Sequence, residues 1–349
     1  MCRAETLRWL RETGPSALEQ LYREADRVRR EWVGDQVHLR GLIEISNICS
    51  RQCGYCGLRA GNRELVRYRM SETEIVACAR LAATLGYGTV VLQAGETESL
   101  SGAFIANIVR AIKTETRLAV TLSLGERSLA DLELWRGAGA NRYLLRFETS
   151  DPELFRRIHP PAAGMMRDRI DLLRALRGLG YEIGSGVMIG IPGQTYETLA
   201  RDIERFRELD LDMIGVGPFL PHPATPLGYG DAPAAVPPEE QTPNSEEMVY
   251  KVVALTRLAC PEANIPATTA LATVNARNGR ELGLLRGANV VMPNLTPPVY
   301  RRHYEIYPNK ACIAERPADC DGCLRGRIAQ IGRIPGTGPG GRQRGQPHE

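Results

Sequence analysis

Leu39-Arg40-Gly41-Leu42-Ile43-Glu44-Ile45-Ser46-Asn47, followed at once by Cys49-Ser50-Arg51-Gln52-Cys53-Gly54-Tyr55-Cys56, is the stretch from which the rest of the chain is read. Its first part is dominated by apolar residues and closed by Asn47, which predicts a buried strand. Three thiols in a C-x3-C-x2-C loop can each bind one iron of a cubane cluster. Cubane clusters held by protein alone take four cysteines, so an open corner points to an outside ligand on the fourth iron. A structural zinc would need four protein ligands, and no further His or Cys lies close by in the sequence.

Composition narrows the setting. The chain has 349 residues, of which 43% are apolar and only 6% aromatic, so Leu, Ile, Val and Ala must fill the core. That length is long for one domain, but barrels of alternating strands and helices reach it as a single unit. The 44 basic and 41 acidic residues are well mixed, with a net charge of +3 and no basic stripe interleaved with aromatics, so nucleic acid is not the expected partner. No apolar run has the length of a membrane span, and residues 1–30 are too charged for a signal peptide. Nine cysteines under these conditions predict a reducing cytoplasm and metal ligation, and argue against a disulfide framework. An accessible cluster would be oxygen-sensitive, which predicts an anaerobic setting.

Outward from the thiol loop, one unit recurs. Residues 3–13 and 15–33 read as charged amphipathic helices broken at Gly14-Pro15, an N-terminal extension over residues 1–36. Ser71-Glu72-Thr73-Glu74 is a capping box opening a helix that stops at Gly86. Strands are expected at Thr89–Gln93, Leu118–Leu124, Tyr143–Phe147, Ile183–Ile191 and Met213–Phe219. Two more are expected at Ile265–Ala270 and Asn289–Pro293, with helical segments between successive strands. Eight strands alternating with helices predict a (β/α)8 TIM barrel over 37–298. A C-terminal segment, 299–349, carries three cysteines and a Gly-, Pro- and Arg-rich tail expected to be poorly ordered.

Chemistry in such barrels gathers at the C-terminal ends of the strands. Gln93-Ala94-Gly95-Glu96 ends strand two; the small pair would let a ligand approach the backbone, although any tight turn could use it. Glu148 is a carboxylate at the end of strand four. Arg142 and Arg146 lie four apart on that strand and face the same side. Inside the barrel a guanidinium needs an anion, and Arg146 is the better candidate, because Arg142 at the strand's start can lie at the bottom. Thr121, Thr268 and Thr269 could add hydroxyl donors. The glycines of Gly184-Ser185-Gly186 suit either a flat ligand or close packing. Arg167 is either a cofactor partner or a solvated helix charge. Cys312, Cys320 and Cys323, beside Asp319 and Asp321, look like a second metal site.

Several stretches carry a resemblance: the C-x3-C-x2-C loop with Cys56-Gly57-Leu58-Arg59, Arg67-Tyr68-Arg69-Met70, Arg142-Tyr143-Leu144-Leu145-Arg146, Ile265-Pro266-Ala267-Thr268-Thr269 and Gly287-Ala288-Asn289-Val290-Val291-Met292-Pro293-Asn294. Together they resemble the radical S-adenosylmethionine enzymes of the biotin synthase-like group, and within it the maturases of FeFe-hydrogenase. The resemblance implies a 4Fe–4S cluster on Cys49, Cys53 and Cys56 whose open iron binds the amino and carboxyl groups of S-adenosylmethionine. Reductive cleavage would then give a 5′-deoxyadenosyl radical. It further implies cofactor contacts at Tyr55, Gly95, Glu96, Glu148, Arg167, Met188 and Tyr304. Cys312, Cys320 and Cys323 match the accessory-cluster spacing of some members, of 2Fe–2S or 4Fe–4S type. Ala94 stands where better-known members are expected to carry Ser. The implied substrate is a cysteine-bound iron carbonyl–cyanide complex. The implied partners are other maturases and an electron donor such as ferredoxin or flavodoxin. Two rival readings are a carbon-skeleton rearrangement of the methylornithine synthase type and a non-catalytic iron–sulfur carrier.

Overall fold

A computed structural model of the chain describes residues 1–161, 168–231 and 236–345. Helices α1 (Arg3–Arg11) and α2 (Pro15–Val33) precede β1 (Gln36–Ser46) and α3 (Glu72–Thr84). Then follow β2 (Thr89–Ala94), α4 (Gly102–Glu115), β3 (Ala119–Ser123), α5 (Leu129–Gly137) and β4 (Arg142–Leu144). Next come α6 (Pro152–Ile158), α7 (Arg169–Gly178), β5 (Glu182–Ile189), α8 (Tyr196–Glu208) and β6 (Met213–Pro218). The last part holds α9 (Glu246–Ala259), α10 (Thr269–Val274), α11 (Gly279–Leu285), β7 (Val290–Val291), α12 (Pro298–Arg301), α13 (Pro317–Gln330) and β8 (Ile334–Pro335).

The strands are parallel in the order β6-β5-β4-β3-β2-β1-β7. Between β6 and β7 lies the segment around Asn264–Ala267, expected as a regular seventh strand. It is extended but too short for one, and it still bonds to both neighbours. Ile214 N–H donates to the Asn264 carbonyl and Asn264 N–H to that of Asp212, both at 2.9 Å. On the other side Ala267 N–H donates to the Val290 carbonyl and Asn289 N–H to that of Ile265. The ring therefore closes as a (β/α) barrel whose eighth stave is irregular. Pro266, which lacks an N–H, sits in that stave and limits its ladder.

Local chemistry agrees with this topology. Ser71 caps α3 with the expected capping box to Glu74, and Ser101, Ser128, Asp151, Asp168, Thr195 and Ser245 cap later helices through their side chains. Strands β1 to β6 thus each hand over to a helix with a side-chain cap on its first turn. Outer helices bury Leu, Ile and Val against the sheet, and Trp135 and Tyr143 are fully buried among them. Helices α1 and α2 lie outside the ring against α8 and α9, tied by Arg3 to Glu197 and Glu204 and by Lys251 donating to the Leu10 carbonyl.

Residues 334–345 of the tail depart from their expected disorder. Strand β8 pairs with the start of β1, and the chain then crosses the N-terminal end of the barrel. There Arg142 donates to the Pro339 carbonyl (3.0 Å) and Arg40 to that of Gly340 (2.9 Å), while Arg342 pairs with Glu262 and Asp210. Several glycines of this segment, Gly336, Gly340 and Gly341, leave no room for a side chain. At Gly340, in the left-handed region (φ +55°), a Cβ would lie 2.5 Å from the His38 ring. Arg142 is therefore at the bottom, as one reading had it, but buried. No helix among the described residues is long and apolar enough to cross a membrane.

Candidate active site

The three-thiol loop is held from several sides before any ligand is considered. Arg67 donates to the carbonyls of Asn47, Leu58 and Arg59 (2.7–2.8 Å), so one guanidinium gathers both ends of the loop. Gly54 N–H reaches the Ile158 carbonyl at 2.7 Å, and Gly57 N–H the Ile306 carbonyl at 3.1 Å. Ser50 donates through N–H and Oγ to the Glu96 carbonyl. Gly95 is required for packing: a Cβ there would lie 2.8 Å from that of Cys49 and 2.4 Å from the Ile48 carbonyl oxygen. The structure thus gives the glycine at position 95 a packing cause.

Cys53 is buried, and Cys49 and Cys56 are partly covered. Burial raises all three thiols, Cys56 to about 12, and each is raised further by a neighbouring cysteine or carboxylate. Metal-free, they are thiols; a cationic cluster would supply the charge that makes them thiolates. Among the described residues no three His, Cys, Asp or Glu side chains converge on one point as a single ion requires. Three thiols are also one short of the four protein ligands of a structural zinc. A cubane fits this donor set, because it assigns each cysteine to a different iron.

Beside the loop lies a buried charged knot. Arg51, inside the thiol loop, pairs with Glu96 at 3.3 Å and Glu126 at 3.4 Å. Arg169, at the start of α7, pairs with Glu126 at 2.8 Å and Glu96 at 3.7 Å. Burial opposes the charged form of Glu126, yet the guanidinium groups of Arg169 and Arg51 bring its carboxyl down to about 2. Burial instead leaves the Glu96 carboxyl raised. Sequence reasoning found Glu96 but missed Arg51, Glu126, His159 and Arg169. A charged residue between two cluster cysteines was the available signal for Arg51.

The loop opens onto a cavity of about 350 Å³ that runs down the barrel axis. That is within the usual range for a small-molecule site. Thirteen sequence-selected residues line it: the three loop cysteines with Tyr55, Gly95, Glu96 and Glu148, then Met188 and Tyr304, and Arg146, Thr121, Thr268 and Thr269. Glu148 adopts φ 61°, a left-handed backbone unusual for a non-glycine and worth attention at a binding site. Its backbone joins β4 to β5, with Glu148 N–H donating to Gly186 and Met188 N–H donating to Glu148. Arg146 donates to the Val187 carbonyl at 2.5 Å and lies 3.1 Å from a Glu148 carboxylate oxygen. Its Nε and the Thr121 hydroxyl, both buried, have no hydrogen-bond partner among the described residues. Thr268 also caps α10, accepting from Leu271 N–H. Tyr304 accepts from Gln93 at 3.1 Å.

A buried ion pair lining the cavity, Glu44 with Lys310, also escaped sequence reasoning. Glu44, alone among apolar neighbours on β1, takes a short hydrogen bond from Lys310 and another from Asn294 at 2.9 Å. Both members of this ion pair are almost fully buried. The glycines of β5 make close strand contacts, since a Cβ at Gly186 would collide with the Gly215 backbone; Met188 is the residue of that strand facing the cavity.

Cys312, Cys320 and Cys323 lie away from this cavity. Cys320 and Cys323 sit three apart on α13, so they share a face. Cys312 precedes them in a loop fixed by the buried Arg301, which donates to the carbonyls of Cys312, Glu315, Asn294 and Thr296. Burial raises the Cys320 thiol to about 11, with Cys312 as the next cause. Arg167 lies outside the described residues.

A barrel that sets a C-x3-C-x2-C loop over an axial cavity defines the class, and residues 43–206 match the family model for the Radical SAM superfamily. The chain is 46% identical over 326 residues to the [FeFe] hydrogenase maturase subunit HydE of Thermotoga maritima, covering 93% of this chain and 89% of that protein. It is 31% identical to the 3-methylornithine synthase of Methanosarcina barkeri over 91% of its length and 85% of the other's. Among solved structures, methylornithine synthase superposes with a TM-score of 0.81 at 26% identity, covering 96% and 94% of the two chains. The maturase HydG of Carboxydothermus hydrogenoformans shares the fold, with a TM-score of 0.78 at 20% identity over 97% of this chain and 76% of that one. The chain belongs to the HydE family of radical S-adenosylmethionine enzymes, whose chemistry rests on a 4Fe–4S cluster and S-adenosylmethionine.

Proposed function

We propose that this enzyme acts on a small anionic, cysteine-derived iron carbonyl–cyanide complex during assembly of the di-iron subcluster of FeFe-hydrogenase. The observation that carries the reading is the single cavity joining the three-thiol loop to Arg146, Thr121, Thr268 and Thr269. Its support from relatives is the 46% identity to a HydE maturase over nearly the whole chain. In this reading Cys49, Cys53 and Cys56 hold the 4Fe–4S cluster. When bound and reduced, that cluster supplies the electron that splits S-adenosylmethionine and frees the 5′-deoxyadenosyl radical. The chain's own task is to bind, orient and exclude water. Glu148 and Met188 receive the cofactor's nucleoside, Gly95 and Glu96 its amino end, and Arg167 its carboxylate, with Tyr55 and Tyr304 walling the space. Other maturases deliver and take the iron complex, and a ferredoxin or flavodoxin supplies electrons in an anaerobic cytoplasm.

Arg146, with Thr268 and Thr269, is the anchor for a substrate carboxylate. A charge-assisted hydrogen bond is worth roughly 1.5–3 kcal/mol, so Arg146→Ala should weaken substrate use about ten- to a hundredfold, at ~1.4 kcal/mol per decade. Arg146→Lys recovers only part, because a fork becomes a point charge. The test is maturation of apo-hydrogenase by purified components beside substrate-free cofactor cleavage. Normal maturation by Arg146→Ala, or equal loss of both activities, would rule this role out.

Cys312, Cys320 and Cys323 hold a second iron–sulfur cluster that radical generation does not need. The support is the helix face shared by Cys320 and Cys323, with Cys312 in the preceding loop, and that none of the three lines the cavity. A triple Cys→Ala variant should lose iron yet release 5′-deoxyadenosine at the parent rate. Loss of that release in a folded variant would mean the second site takes part in the chemistry.

A further inference from the structure

His159 follows α6 and is buried beside the thiol loop. Its Nε2 lies 2.7 Å from an Arg51 nitrogen and 2.8 Å from an Arg169 nitrogen, while the Glu126 carboxylate oxygen, at 3.7 Å, is beyond hydrogen-bond reach. A guanidinium carries donors only, so Nε2 must accept. The imidazole proton is thereby fixed on Nδ1, and Nδ1 lies 3.0 Å from the Cys53 sulfur. Tyr55 Oη is further from the same nitrogen, at 3.4 Å. The ring cannot readily turn away, since Phe155 stacks on it with centroids 5.0 Å apart.

We propose that His159 is a positioning residue for the iron–sulfur cluster: its Nδ1–H donates a hydrogen bond to the Cys53 sulfur and eases one-electron reduction of the cluster. The proposal rests on the assignment of the cluster to Cys49, Cys53 and Cys56. Hydrogen bonds to cluster sulfurs are among the levers that set the potential. The direction follows from charge. Reduction adds an electron that spreads onto the sulfurs, and a donor N–H stabilises the more negative state. The two arginines act through the ring by holding its tautomer, as partners of metal-bound groups commonly do. Their own charges are balanced by Glu96 and Glu126.

The experiment is an EPR-monitored redox titration of reconstituted protein, comparing the parent with His159→Phe and His159→Asn. His159→Phe should shift the midpoint to more negative potential, leaving about tenfold less reduced cluster at a fixed potential, or ~59 mV for a one-electron couple. His159→Asn, with an amide N–H near the Nδ1 position, should recover part of the shift. Pulsed EPR of parent protein carrying 15N-histidine should detect a histidine nitrogen coupled to the reduced cluster. An unchanged or more positive midpoint in iron-replete His159→Phe overturns the proposal. Should that variant fail to load iron, absence of the nitrogen coupling in the parent overturns it instead. Failure of the cluster assignment is separately visible, as a cluster signal that survives Cys53→Ala in protein that also lacks Cys312, Cys320 and Cys323.

Discussion

Cys53→Ala protein, reconstituted anaerobically with the C-terminal cysteines intact, is expected to release 5′-deoxyadenosine at least about a thousandfold more slowly than the parent. At 1.36 kcal/mol per decade that corresponds to ~4 kcal/mol or more of barrier. In the proposed assignment each loop cysteine serves one iron, so the variant leaves one iron of the cluster without its thiolate. Cys53 is also the most enclosed of the three, so water cannot stand in easily. Product is measured by chromatography after addition of reductant and S-adenosylmethionine. Release at the parent rate would break the assignment of the loop. Loss accompanied by unfolding would be visible in circular dichroism and is distinguished by Cys53→Ser.

Glu44→Gln is expected to destabilise the protein by about 3–5 kcal/mol, the usual effect of removing one partner of a buried ion pair. Lys310 would remain 4% exposed, facing an amide where it had a carboxylate. Its other nearby acceptor, the Tyr304 carbonyl at 3.3 Å, is too weak a replacement. Combining the change with Lys310→Met should restore most of the loss, since apolar replacement of a whole buried pair is often neutral or better. The exposed pair Arg27–Glu24 is the control, and breaking it should change stability by less than about 1 kcal/mol. Denaturant midpoints of the four proteins measure this directly. Equal midpoints for parent and Glu44→Gln would mean that the pair does not anchor Lys310 inside the barrel.

How much of this was legible in the sequence depended on how local the signal was. The thiol loop is complete within eight residues, and its spacing needed no tertiary information. The capping box at Ser71 and the cap at Thr195 are equally local, and both formed. Thirteen of the fourteen site residues chosen outside the C-terminal cysteines line one cavity, because strand ends in a barrel converge. Arg167, the fourteenth, lies outside the described residues.

The features not foreseen are those made by distant parts of the chain. Lys310 meets Glu44 across a separation of 266 residues, and no spacing rule connects them. His159 reaches Cys53 across 106 residues. The tail after Arg333 has the composition of a disordered segment, yet its exposed carbonyls satisfy the buried Arg40 and Arg142. Composition described the tail's own chain entropy and missed the cations waiting for it. The seventh strand failed as a regular element because the run Ile265–Ala270 contains Pro266 and because Thr268 is used to start α10.

The account is tested most directly by hydrogen evolution from apo-hydrogenase incubated anaerobically with the purified partner maturases, reductant and S-adenosylmethionine, with and without this protein. Activity should appear only when the parent chain is present, require S-adenosylmethionine, and be absent with Cys53→Ala. Equal hydrogen evolution without the chain, or none with parent protein that cleaves S-adenosylmethionine normally, would contradict the account.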